Sequence, residues 1–282
     1  MGDSTCHILL MRVRSLVFAC VGFLIGNIPF ISVSLAEEII SFNSAVLPPT
    51  PFMIRVSKAQ GVPTRQGKPG DALSATLAKP EGQGPFAVVL MFPTCKGWTD
   101  MDQDWRAQIV QWGYVAVQVN SVASRPHIDV NCDPARYDGA VGGTDLLFDG
   151  MGALEYLSAL PYIDAERTAI MGWGLGGSGA VKSVNAHGFA RLFKRRFKAA
   201  VAFYPDCEMH SEYIAPSLVF VGEKDQLSRP LFCQKMLENT EPNQKHLFTL
   251  RIIEGAGHEF NFAQIGWVGD QVQAFLQQHI GQ

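Results

Sequence analysis

Charge is scarce in this 282-residue chain: 17% of its residues are Asp, Glu, Lys or Arg, where soluble domains average about 25%. With 47% of residues apolar, there is too much to bury for the chain to stay disordered. Positive charge in excess is missing too, since 23 Lys and Arg stand against 26 Asp and Glu, a net charge of −3. Without a basic surplus there is no sequence-independent grip on a phosphate backbone, so nucleic acid is excluded as an expected partner. Among six cysteines no Cys-x-x-Cys spacing occurs, which argues against a four-thiolate zinc site. Heptads, Gly-X-Y triplets and internal repeats are absent as well. The length then allows one large domain or two small ones.

What is present begins with a separate segment. Arg12 and Arg14 precede an uncharged stretch from Leu16 to Val33, and Ser34-Leu35-Ala36 leads into Glu37-Glu38. A positive start, an apolar middle and a small-residue exit describe a secretory signal over residues 1–36. The competing reading is an uncleaved anchor, because 18 residues can just span a bilayer. Asn27 and Pro29 interrupt the stretch, so cleavage is the expectation, with membrane attachment only if the segment is retained. The remaining 246 residues keep four cysteines, Cys95, Cys132, Cys207 and Cys233. Outside the cytoplasm an even set is expected to pair. Three connectivities are possible, and the sequential one, Cys95–Cys132 and Cys207–Cys233, ties neighbouring strand-end loops.

Residues 37–80 hold short extended runs, Phe52–Val56 and Leu73–Leu77 among them, that suit antiparallel edge strands. A regular alternation follows. Phe86–Phe92, Tyr114–Val122, Thr168–Trp173, Ala199–Tyr204, Ser217–Val221 and Phe248–Ile253 read as buried strands. Asp104–Trp112, Leu146–Leu160, a helix opened by a Gly-rich turn and running to about His187, Pro230–Asn239 and Trp267–Ile280 read as helices. Apolar strands alternating with helices indicate an α/β domain with a mostly parallel sheet covered on both faces. Residues 123–143 form the one long irregular segment, of a length that is usually functional. No linker divides the region, so residues 37–282 form a single domain.

The chemistry concentrates at Met171-Gly-Trp-Gly-Leu-Gly-Gly-Ser178, between a strand and a helix. Gly172, Gly174 and Gly177 have the spacing of a dinucleotide-binding turn. That mechanism needs an acid about 20 residues on, whereas Asp206 lies 29 residues past Gly177, so no cofactor is expected. The other reading is a nucleophile elbow, G-x-Nuc-x-G, with Gly172 and Gly176 as its outer glycines. Its partners must follow as acid and then histidine, each beyond the C-terminal end of a parallel strand. Asp225, after Val219–Gly222, and His258, after Ile253-Glu-Gly-Ala-Gly, satisfy that order.

Over roughly residues 70–282 these motifs, with Met91–Gly97, Asp149–Leu157 and Ala199–Cys207, resemble the dienelactone hydrolase family, and in particular its secreted branch. The resemblance implies an α/β-hydrolase fold and hydrolysis of a small-molecule carboxylic ester or lactone. It also implies a Ser or Cys nucleophile, His258 as base, Asp225 orienting it, and an oxyanion hole from the backbone of Cys95 and Leu175. The nucleophile position, however, is Gly174, and Thr94 and Lys96 stand where related loops carry glycine. Either hydrolysis proceeds by water attack with His258 as base or through a substitute nucleophile, or the pocket binds a ligand or partner in silence. Other chemistry-bearing residues are assigned bland roles. Ser178 is a packing serine of the first helical turn, Asp206 a solvated loop carboxylate, and Lys194-Arg195-Arg196 an exposed helix face. His127, Asp129 and Asp133 around Cys132 belong to a loop rather than a metal site.

Overall fold

The structure is a computed structural model that describes residues 37–64, 70–125, 132, 141–207, 212–260 and 266–281. The segment read as a secretory signal and the group His127, Asp129 and Asp133 lie outside the described residues. Eight strands form one sheet: β1 (Glu37–Asn43), β2 (Ala72–Ala78), β3 (Phe86–Phe92), β4 (Val115–Val119), β5 (Ile163–Trp173), β6 (Ala199–Phe203), β7 (Ser217–Gly222) and β8 (Phe248–Ile253). Their order is β1-β2-β4-β3-β5-β6-β7-β8. The first two pairings, β1 with β2 and β2 with β4, are antiparallel, and every other pairing is parallel.

Alternation along β3 shows why the centre of the sheet is apolar throughout. Val88, Leu90 and Phe92 enter one buried cluster, and Ala87, Val89 and Met91 enter the other. The first cluster is closed by α3 (Gly143–Leu157), α4 (Leu175–Ser183) and α5 (Pro230–Asn239), the second by α2 (Asp100–Gln111) and α6 (Gly266–Ile280). Parallel strands covered on both faces must be hydrophobic on both. The C-terminal ends of β3, β5, β6, β7 and β8 therefore meet at one edge, where an α/β sheet places its ligands.

A buried ion pair secures the chain after β4. Arg125 donates to both oxygens of Asp149 on α3, at 2.7 and 2.8 Å, and also to Ser121 O and Asp71. Burial pushes the Asp149 carboxyl up, and the guanidinium opposes that rise. Removing one partner of such a pair costs about 3–5 kcal/mol, because the other is left buried and uncompensated.

Three local expectations are corrected. Phe52–Val56 is not a strand but part of α1 (Pro51–Gln60). Thr50 accepts from the Met53 N–H at 3.2 Å, Pro51 occupies the first turn, and Gly61 closes the helix at φ 66°. Capping at both ends outweighs a five-residue apolar run. Lys194-Arg195-Arg196 is exposed but not helical, since α4 ends at Ser183 and only a 3-10 turn, Phe189–Leu192, follows. Val122 lies beyond β4, in a turn over residues 121–124. Among the described residues no helix is long and apolar enough to cross a membrane.

Candidate active site

The site grows from the ends of β5, β7 and β8. Trp173 ends β5, and Gly174 turns the chain into α4 at φ 51° and ψ −112°. A side chain rarely adopts that conformation without strain of about 1–3 kcal/mol. The elbow is tight because its outer glycines permit it. A Cβ on Gly172 would lie 2.3 Å from the Gly176 backbone, and one on Gly176 would lie 2.4 Å from Phe92 O. The Gly176 N–H donates to Pro93 O at 3.1 Å, which clamps the turn to the end of β3.

Gly174 differs from its neighbours. A Cβ there would have Tyr204 Cε2 at 3.7 Å and Thr94 Cγ2 at 4.0 Å as its nearest contacts, ordinary van der Waals separations. Packing does not demand glycine at this position. Space for a small side chain stands open between the Tyr204 ring and the Thr94 methyl.

The acid–base pair meets the same Tyr204 ring that bounds that space. His258 Nδ1 lies 2.9 Å from Asp225 Oδ2. The Asp225 side chain is fully buried, while His258 keeps 27% of its side-chain surface exposed. Asp225 Oδ1 accepts the Leu227 and Ser228 N–H groups, each at 2.8 Å. Both carboxylate oxygens are thus satisfied, and the aspartate holds the loop after β7 as well as the imidazole. Gly222 allows the two loops to meet, for a Cβ there would come within 2.1 Å of Gly257 O.

Sequence reasoning did not single out Tyr204. It is fully buried, its φ is +38°, and its ring centroid lies 4.8 Å from that of His258. Ser228 Oγ donates to Tyr204 O at 2.6 Å, tying this unusual backbone to the Asp225 loop. Burial, reinforced by the carboxylates of Asp102, Glu259 and Asp225, pushes the Tyr204 hydroxyl well above the ordinary tyrosine range. It stays neutral and walls the site between Gly174 and His258. Position at the end of β6 was the one available signal.

The loop after β3 forms a closed turn. The Gly97 N–H donates to Thr94 O at 3.0 Å, and the Lys96 N–H to Thr94 Oγ1 at 3.2 Å. Of the two residues that replace glycine, only Thr94 faces the elbow; Lys96 points outward and pairs with Glu259 at 3.0 Å. The N–H groups of Cys95 and Leu175 find no acceptor among the described residues. Cys95 is bonded to Cys132, and Cys207 to Cys233, which is the sequential pairing. Such loops contribute about 3–4 kcal/mol each in the chain-entropy model, and the first bridge consumes the Cys95 thiol.

Ser178 is a packing residue. Its hydroxyl donates to Gly174 O at 3.2 Å and accepts the Asp206 N–H at 2.8 Å, so it braces the elbow from behind. Asp206 is exposed on the loop after β6. No cluster of three or more His, Cys, Asp or Glu suited to a metal occurs among the described residues.

Comparison with known proteins agrees with this fold. A family model described as "Dienelactone hydrolase family" matches residues 73–273. Among solved structures, a protein assigned as a dienelactone hydrolase from Klebsiella pneumoniae is 19% identical, with a TM-score of 0.59 over 86% of this chain and 100% of that one. An esterase of Pyrococcus furiosus is 12% identical, with a TM-score of 0.62 over 88% and 94%. Esterase 2 of Thermogutta terrifontis, in its paraoxon-phosphorylated form, is 18% identical, with a TM-score of 0.57 over 73% and 88%. No curated protein matches the sequence.

Proposed function

The chain belongs to the dienelactone hydrolase family, and from that premise we propose that it is a carboxylic ester or lactone hydrolase working without an enzyme-bound nucleophile. The observation that carries this reading is the 2.9 Å His258–Asp225 pair and the room for a Cβ at Gly174, both of which border the Tyr204 ring. In the proposed reaction a water occupies the place of the missing side chain. His258 Nε2 takes a proton from it, and the water oxygen bonds to the acyl carbon while the carbonyl π pair moves onto oxygen. The N–H groups of Cys95 and Leu175 receive that oxyanion; one such donor is worth roughly 3 kcal/mol. Collapse breaks the acyl–oxygen bond, the leaving alkoxide takes the proton back from His258, and a free acid and an alcohol result. Asp225 holds the imidazole in the tautomer that leaves Nε2 as the acceptor.

No acyl-enzyme forms on this route. Losing the nucleophile of a serine hydrolase costs on the order of a million-fold in turnover, and roughly a thousand-fold acceleration over water can survive it. Hydrolysis of p-nitrophenyl acetate should therefore be slow, linear and free of a burst, and His258→Ala should abolish it. Turnover indistinguishable from that of His258→Ala would replace this reading with a second one, a silent pocket that binds its ligand. Thr94 and Lys96, standing where related loops carry glycine, favour that second reading. Two disulfides support a location outside the cytoplasm. Residues 1–36 would supply the export signal.

A further inference from the structure

Positive charge in this chain is unevenly distributed. Between Glu38 and Asp71 there is no acidic residue but four basic ones, and between Glu166 and Asp206 there is none but seven. Eleven of the 23 basic residues thus fall in two acid-free stretches of a protein whose net charge is −3. The fold brings parts of these stretches together. A groove of about 720 Å³ is lined by Val46 and Pro48 from the first and by Leu192, Phe193, Lys194 and Arg195 from the second, with Glu155 the acidic residue among its lining.

Beyond Pro48 α1 begins, and none of its residues is buried. Phe52 is 67% exposed and Ile54 46%, and Val46 and Val62 on either side of the helix are exposed as well. Arg55 and Lys58 on the same helix are exposed. In the second stretch Phe189 is 40% exposed, and its ring packs on Phe148, which also contacts Phe193. Arg195 pairs loosely with Glu155 and Glu166, and Lys198 with Glu166. Arg55, Lys58, Arg191 and Lys194 have no carboxylate partner among the described residues. Exposed aromatic and aliphatic side chains flanked by unpaired cations are the makings of an interfacial element: the apolar groups enter the headgroup boundary and the cations meet anionic lipid.

We propose that the rim of this groove, running from Pro48 into α1 on one side and through the 189–196 segment on the other, docks the domain on an anionic lipid surface. Charge complementarity selects that occupant, because a second copy would set like charges against each other. The docking belongs to the folded domain and needs neither retention of residues 1–36 nor turnover at the candidate active site.

Flotation with phosphatidylcholine vesicles, with and without phosphatidylglycerol, tests it on the exported protein, its N-terminus read by intact mass so that all variants match ahead of β1. Binding should require phosphatidylglycerol and fall as salt rises. Lys194→Gln and Arg55→Gln should each weaken partitioning roughly fivefold, and Phe52→Ser should weaken it further. These side chains are exposed, and unchanged far-UV circular dichroism checks that the variants fold. Equal binding to both vesicle types, or binding indifferent to all three substitutions, overturns the proposal. Binding to a soluble sulfated polysaccharide without binding to vesicles also overturns it, in favour of a polyanion.

Discussion

The two halves of the candidate site were built to different degrees. The half formed by the loops after β7 and β8 is complete: Asp225 is buried, each of its oxygens is occupied, and His258 stands within hydrogen-bond distance. The half formed by the ends of β3 and β5 turns sharply at Gly174, with a φ of 51°, and in the proposed reading lacks the nucleophile side chain that such a turn would present. Glycine adopts those backbone angles freely, whereas a side chain at position 174 would be strained by them. The difference shows that scaffold and reactant are separable here. Gly172 and Gly176 are fixed by contacts below 2.5 Å, whereas nothing within 3.7 Å obliges position 174 to be glycine.

The comparison is broken or sharpened most strongly by restoring the missing group. Gly174→Ser should raise p-nitrophenyl acetate turnover roughly a thousandfold and introduce a burst, measured by stopped flow. Failure with the fold intact would mean that the β3 half has lost its oxyanion donors as well. Next in size is the acid–base half. In the Gly174→Ser background, His258→Ala and Asp225→Asn should each lower turnover by about a hundredfold or more. The double variant should be little worse than His258→Ala alone, because the residues act as one unit. Additive losses would show that the pair is not coupled.

Stability separates the glycines. Gly176→Ala should destabilise by about 3 kcal/mol or more, since its methyl meets the backbone of Phe92 and Pro93. Gly174→Ala should cost about 1–2 kcal/mol, the penalty of its backbone angles alone. Urea unfolding midpoints measure both, and equal losses would contradict the reading of position 174 as open. The smallest effect concerns α6, which follows the His258 loop. Burial lowers the pKa of His279 below its ordinary 6.5. Below pH 6.5 the unfolded chain then binds the proton more readily than the folded one, so acidification through that window destabilises the protein. Replacement by Gln should flatten the pH dependence by a few tenths of a kcal/mol, on the scale of a surface substitution.

Much of this was legible in the sequence because a parallel sheet makes it so. Phe86–Phe92 is an unbroken apolar run and Phe248–Ile253 an apolar run interrupted by Thr249 and Arg251, and the strands occupy those spans. Asp225 and His258 were found from chain order and from their places after strands, and the fold brings them together. Tyr204 was not found, since its part depends on a positive φ held by Ser228 from another loop. The outward course of the Lys96 side chain was not legible either, because a position in a turn does not say which way a side chain leaves it. For α1 the cap residues Thr50, Pro51 and Gly61 were present, but a short apolar run was read as a strand because helix and strand are not distinguished at that length.

In the proposed reading Gly174 is the one missing part of an otherwise intact site. Intact-mass analysis after exposure to paraoxon tests it most directly, because the organophosphate marks a nucleophile only where base and oxyanion hole are in place. The prediction is no adduct on the natural protein, one diethylphosphoryl group on Gly174→Ser, and none when His258→Ala is added. An unlabelled Gly174→Ser variant that is correctly folded, or an adduct on the natural protein, would contradict it.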